Sequence, residues 1–97
     1  MSLYAEWEAP PPYFNTERWF RWAVERATNT RDLLSALMEV MCFYYEVPTL
    51  SYLTEDQRGD AIRRLDELGA FELRYGVVRV AKEMGVSRTT IYKHIRH

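Results

Sequence analysis

An all-α fold of about five helices is the architecture this chain predicts, and three observations predict it. Apolar residues recur at spacings of three and four in separate stretches, helix-starting polar residues stand just ahead of them, and Pro48, Gly69 and Gly85 stand where three of them must stop. Of the 97 residues, 47% are apolar and 28% are charged, a mixture that favours a globular fold over disorder. A single core in so short a chain is only modestly stable, so a partner chain would add to it.

Residues 1–14 read as an arm. Pro10, Pro11 and Pro12 force a short polyproline II segment, and the aromatics Tyr4, Trp7 and Tyr13 beside it are expected to fold back onto the body or onto a partner subunit. Asn15 or Thr16 then caps a helix running to about Ala27, with Trp19, Phe20, Ala23 and Ala27 on one face and Trp22 beside them. At this spacing aromatics are core residues rather than stacking platforms for single-stranded bases. Asn29 or Thr30 opens the next helix, over roughly 31–46. Its polar residues Asp32, Ser35, Glu39 and Glu46 form a narrow strip, and apolar side chains fill the rest of the circumference. Such a helix must be covered on more than one side, so residues 15–47 are expected to form a helical dimerisation region, with helices 15–27 and 31–46 meeting a second copy.

Pro48 ends that helix, and residues 47–53 are a linker. Thr54-Glu-Asp-Gln57 is a capping box: Thr54 reaches forward to the third helical amide and Gln57 reaches back. The helix that follows turns Ala61, Ile62, Leu65 and Leu68 inward and stops at Gly69. Glu55, Asp56 and Asp60 are explained without a metal. Acidic residues suit the first turn of a helix, and Asp60 pairs with Arg64 four residues on. Phe71 and Tyr75, also four apart, are expected to pin the next helix onto this one.

Val77, Val80, Ala81 and Met84 form one apolar stripe of a short helix, and Gly85 follows where a left-handed residue must end it. Ala81 sits where two steeply crossing helices come closest, Val86 plugs the corner, and Ser87 caps a second helix by accepting from the amide of Thr89 or Thr90. Ile91 and Ile95 face inward from that helix, over 88–96, leaving Arg88, Thr89, Tyr92, Lys93 and Arg96 outside. This is the pattern of a helix-turn-helix, and with the helix at 55–68 it makes a C-terminal trihelical unit over 54–97. In that motif the first turn of the second helix enters the DNA major groove. Arg88 and Thr89 are therefore the candidates for base contact, since Arg can take both guanine acceptors and Thr can offer a hydroxyl or a methyl. Ser87, Tyr92, Lys93 and Arg96 would position the helix on the phosphate backbone, and Thr90 completes the candidate set.

The residues Leu65-Asp-Glu-Leu-Gly-Ala-Phe71, Arg74, Gly76, Val80-Ala81-Lys82 and Met84-Gly-Val-Ser-Arg-Thr-Thr-Ile-Tyr92 resemble the C-terminal DNA-binding domain of YheO-like transcriptional regulators. The run Gly-Val-Ser-Arg-x-Thr-Ile-Tyr is similar, more loosely, to Fis-like, TetR-like and recombinase-tail motifs. The resemblance covers residues 54–97. It implies a trihelical domain whose 88–96 helix reads double-stranded DNA, with Ser87, Arg88, Thr89, Tyr92 and Lys93 on the matching contact positions. YheO-like regulators carry a sensor domain much larger than the segment ahead of residue 54, so ligand sensing is not implied.

Charge supports one DNA-facing end. The formal net charge is −1, yet from Arg74 to His97 six basic residues (Arg74, Arg79, Lys82, Arg88, Lys93, Arg96) stand against Glu83 alone. An acidic remainder would resist lying on a polyanion, which tells against indiscriminate coating of DNA. The expectation is a homodimeric, sequence-specific transcriptional regulator. An architectural DNA-coating protein and a protein-interaction module on the same fold remain open alternatives. Cys42 is the single cysteine, which excludes an intrachain disulfide, and it is expected to be a small buried hydrophobe. No enzyme activity is expected: there is no Gly-rich phosphate loop, and His94 and His97 lie at a terminus too prone to fraying for a built site. No cofactor or metal is expected, and no small-molecule ligand is evident in the sequence. No apolar run reaches the length of a membrane span and no signal-peptide pattern opens the chain, so a cytoplasmic location without membrane contact is expected.

Overall fold

The computed structural model describes residues 14–29 and 32–95; the polyproline arm with Tyr4, Trp7 and Tyr13, together with Arg96 and His97, lies outside the described residues. Among the described residues the protein is all-helical: α1 (Thr16–Asn29), α2 (Leu33–Tyr45), α3 (Glu55–Glu67), α4 (Gly76–Met84) and α5 (Arg88–Ile95), with single 3-10 turns at Leu50–Tyr52 and Ala70–Glu72. No helix among them is long and apolar enough to cross a membrane.

α1 begins where the Asn15 side chain accepts from the amide of Arg18 at 3.0 Å. Trp19, Trp22 and Ala23 are buried, whereas Phe20 is 40% exposed. The inward stripe is centred on the two tryptophans, and Phe20, one position round the helix, is carried out of it. α1 continues through Asn29, so Asn29 closes one helix instead of opening the next. The cap of α2 is Asp32, whose carboxylate accepts from the amide of Ser35 at 2.7 Å.

α2 is the centre of the molecule, with Ala36, Leu37, Val40 and Met41 fully buried. Its apolar circumference predicts cover from a second copy, and the chain supplies much of that cover itself. Trp19 packs edge-on against Tyr44 and Trp22 against Phe43 from α1, while α3 and the Leu50 turn cover part of the remainder. α2 ends in a left-handed Glu46 (φ 57°), and the amide of Val47 donates to the carbonyl of Cys42 at 3.0 Å.

An aromatic and ionic clamp joins α1 and α2 to α3. The guanidinium of Arg64 lies between the rings of Phe14 and Tyr44, at 4.6 and 4.7 Å from their centroids. It also donates through Nε to Asp60 at 2.9 Å, and the hydroxyl of Tyr45 donates to the same carboxylate. Asp60 is thus held by Arg64 as its spacing implies, and by a tyrosine that spacing could not reveal.

Both halves of the capping box at the start of α3 are present: the amide of Gln57 donates to Thr54 Oγ1 at 3.2 Å, and the amide of Thr54 donates to Gln57 Oε1 at 3.0 Å. Ala61, Ile62, Leu65 and Leu68 are buried, and Gly69 at φ 86° turns the chain. The expectation for Phe71 and Tyr75 fails at Tyr75. Only residues 70–72 are helical there, so the two rings do not share a helix face. Phe71 packs against the core, but Tyr75 is 62% exposed, left-handed (φ 63°), and covered by Arg74 stacked 5.1 Å from its ring centre. Directly after it, α4 starts with its backbone against the 70–72 turn. A Cβ on Gly76 would lie 2.2 Å from the carbonyl oxygen of Ala70.

Candidate nucleic-acid interface

α4 and α5 meet across a three-residue corner whose hydrogen bonds are all local. Gly85, at φ 75°, donates to the carbonyls of Ala81 (2.9 Å) and Lys82 (3.2 Å), and Val86 donates to Ala81 at 3.0 Å. The bonds from Val86 to Ala81 and from Gly85 to Lys82 are the two nested bonds that end a helix in a left-handed glycine. Val86 packs against the core at the corner, and Val80, Ala81 and Met84 of α4 are buried. Ser87 caps α5 by accepting from the amide of Thr90 at 3.3 Å, and the two hydroxyls lie 3.2 Å apart. Of the two amides open to Ser87 by sequence, Thr90 is the partner.

α5 docks through one fully buried residue, Ile91, with Ile95 packing behind it. Arg88, Thr89, Tyr92 and Lys93 are exposed together on its other side, next to the exposed cap Ser87. Thr90 is half-buried with its hydroxyl turned to Ser87, which makes it part of the cap. Arg96 lies outside the described residues. The amide-rich N-terminus of α5 and the Arg88 side chain at its first position offer positive charge at the same end of one helix.

Two residues have roles that sequence reasoning missed. His94 does not stand at a frayed end: a Cβ on Gly59 would lie 2.9 Å from its Cε1, so its ring occupies the gap that the glycine leaves in α3. Arg79, counted by sequence in the basic end, is turned inward to α2. It donates to the carboxylate of Asp32 at 3.2 Å and to Ser35 Oγ at 2.7 Å. The Asp32 carboxyl is held below its usual range, chiefly by the Ser35 amide, which acts against burial, and further by Arg79. The basic surface is smaller than the count of Lys and Arg implies, and α4 gains a tie to the N-terminal helices.

The arrangement defines a helix-turn-helix, with a short helix, a glycine corner and a capped second helix that shows a polar and basic face to solvent. A family model described as an HTH domain matches residues 46–96, more than half the chain, and the protein belongs to that family. No curated protein and no solved structure matches it.

Proposed function

We propose that this protein is a sequence-specific, double-stranded DNA-binding transcriptional regulator, a binding protein and not an enzyme, acting as a cytoplasmic homodimer. The observation that carries the reading is α5 itself: capped by Ser87, anchored by Ile91, and bare along Arg88, Thr89, Tyr92 and Lys93. That side fits a major groove, with Arg88 and Thr89 at base edges and Ser87, Tyr92 and Lys93 at phosphates. The family match agrees with a DNA partner, and the finer likeness to YheO-like regulators rests on the motif residues alone. Support for a homodimer comes from α1, whose exposed Phe20 offers an aromatic contact on the side turned away from its own core.

Selection of bound duplexes from a random pool tests both parts. A dimeric regulator yields one enriched motif with two-fold symmetry, preferred over random DNA by about a thousandfold or more. Uniform binding without enrichment would instead indicate a coating protein, and a single half-site from a protein monomeric in ultracentrifugation would remove the dimer.

A further inference from the structure

Along α2 runs a cavity of about 670 Å³ open to solvent. Its apolar lining comes from Met38, Cys42, Phe43, Val47 and Leu50, and Glu83 of α4 lines it as well. This volume lies within the range of sites for drug-sized molecules. The charge around it has one sign. Glu39, Glu46 and Glu83 line it, and no Lys, Arg or His does. Glu39 is already paired with Arg26 at 3.3 Å, so the unbalanced charge comes from Glu46 and Glu83, neither of which forms an ion pair among the described residues. Burial first, and then Glu83 and Glu39, push the Cys42 thiol in the lining up to about 11.

We propose that this cavity binds an organic cation with an apolar body, the apolar part lying on Met38, Cys42 and Val47 and the positive centre between Glu46 and Glu83. An apolar cavity alone would take a neutral molecule as readily. Two carboxylates without an ion pair in its lining make a cation the better occupant, because it lowers the cost of their like charge while filling the space. The same charge disfavours the chain's own arm, since residues 1–13 hold Glu6 and Glu8 and no Lys or Arg. A bound cation would touch both α2 and α4 and so tie the helix-turn-helix to the N-terminal helices at a second point, near the Arg79 contact. Binding itself requires nothing of DNA.

The test compares two probes of nearly the same shape and opposite charge, tetraphenylphosphonium and tetraphenylborate, on the full chain by calorimetry and by methyl NMR of the methionines. Tetraphenylphosphonium is expected to bind at least about tenfold more tightly than tetraphenylborate, and to shift the Met38 methyl while leaving that of Met84 in place. The double substitution Glu46→Gln and Glu83→Gln keeps side-chain volume and is expected to weaken the phosphonium by about tenfold or more while leaving tetraphenylborate unimproved or better bound. Equal affinity for the two probes in the unaltered protein would overturn the proposal, whatever the fate of the variant. So would a phosphonium affinity unchanged in a folded double variant, or shifts confined to methyls away from Met38. DNA selection reads none of these quantities, so either reading can fail alone.

Discussion

Arg88 and Lys93 stand about one and a half turns apart on α5, and the difference in their position separates their proposed work. At the first residue of the helix, Arg88 is placed for the two acceptors of a guanine, so Arg88→Ala should cost about 1–3 kcal/mol on the preferred duplex and relax selection at one base position. Lys93, further along, is placed for phosphate. Lys93→Ala should weaken every duplex alike and lower the salt dependence by about one counterion. Side-by-side binding-site selections and salt titrations check the pair, and matching profiles would mean that the two roles are wrongly assigned. Two glycines differ in a parallel way. At Gly76 a methyl would meet a backbone carbonyl at 2.2 Å, so neither partner can give without moving α4. At Gly85 there is nothing within 4 Å, and only the left-handed backbone opposes a side chain. Gly76→Ala should therefore cost about 3 kcal/mol or more, and Gly85→Ala about 1–2 kcal/mol, by urea denaturation. A branched residue at Gly85 strains the corner further, and asparagine should be the mildest replacement there.

Among the elements, the contact of α2 with α3 couples stability to pH in both directions. Burial tends to raise the carboxyl of Asp60, but the hydrogen bonds from Tyr45 and Arg64 outweigh it and hold the group below its ordinary value. A carboxyl lowered in the folded state stabilises the protein above its unfolded pKa, and this contribution is lost as pH falls through the lower, folded value. Asp32 adds to the same acid limb. The Tyr45 hydroxyl is moved up, by burial first and then by Asp60, and the Cys42 thiol is raised to about 11. Their contributions are complete below the unfolded values and disappear as the solution becomes alkaline enough to ionise them. Thermal melts across pH should show a plateau near neutrality with losses below about pH 4 and above about pH 9. Asp60→Asn should flatten the acid limb, and Tyr45→Phe the alkaline one. If Asp60→Asn leaves the acid limb unchanged, the clamp is not the cause of that loss.

What the sequence made legible follows from the range of each signal. The capping box at Thr54, the stop at Gly85 and the cap at Ser87 are satisfied by residues within a few positions, and each is found where its spacing placed it. The exposed face of α5 was legible for the same reason, because its periodicity is local. Arg79 was not: its partners Asp32 and Ser35 are more than forty positions away, and nothing nearby distinguishes it from a solvated arginine. His94 was hidden likewise, since the gap it fills at Gly59 is brought to it only by folding. Tyr75 misled because a spacing of four carries meaning only while the helix continues.

Across the whole molecule, one core runs through every helix. Trp19 and Trp22 at one end, Leu37 and Met41 in the middle, and Val80 and Ile91 at the other belong to the same buried cluster. The helix-turn-helix unit therefore rests on α2 and the Leu50 turn, and Arg79 fastens α4 to the cap of α2. A fragment of residues 54–97 would lose Val40, Met41 and Leu50 from beneath it and expose apolar surface it cannot cover alone. Such a fragment should show little cooperative melting by circular dichroism, while the full chain melts in one transition. A sharp transition in the fragment would show that the unit is self-sufficient. Removing the tie with Arg79→Ala should leave the corner itself intact and loosen only its seating.

The exposed face of α5 sets a further bound on the proposed regulator. From Arg88 to Lys93 that face runs over six residues, which at 1.5 Å each make about 9 Å, the rise of roughly three base pairs. Even a word of four letters recurs roughly every 250 base pairs by chance, so a solitary copy would find an enormous number of equivalent addresses in any genome. Information enough to choose one locus would have to come from doubling the reader or from the stiffness of the intervening DNA.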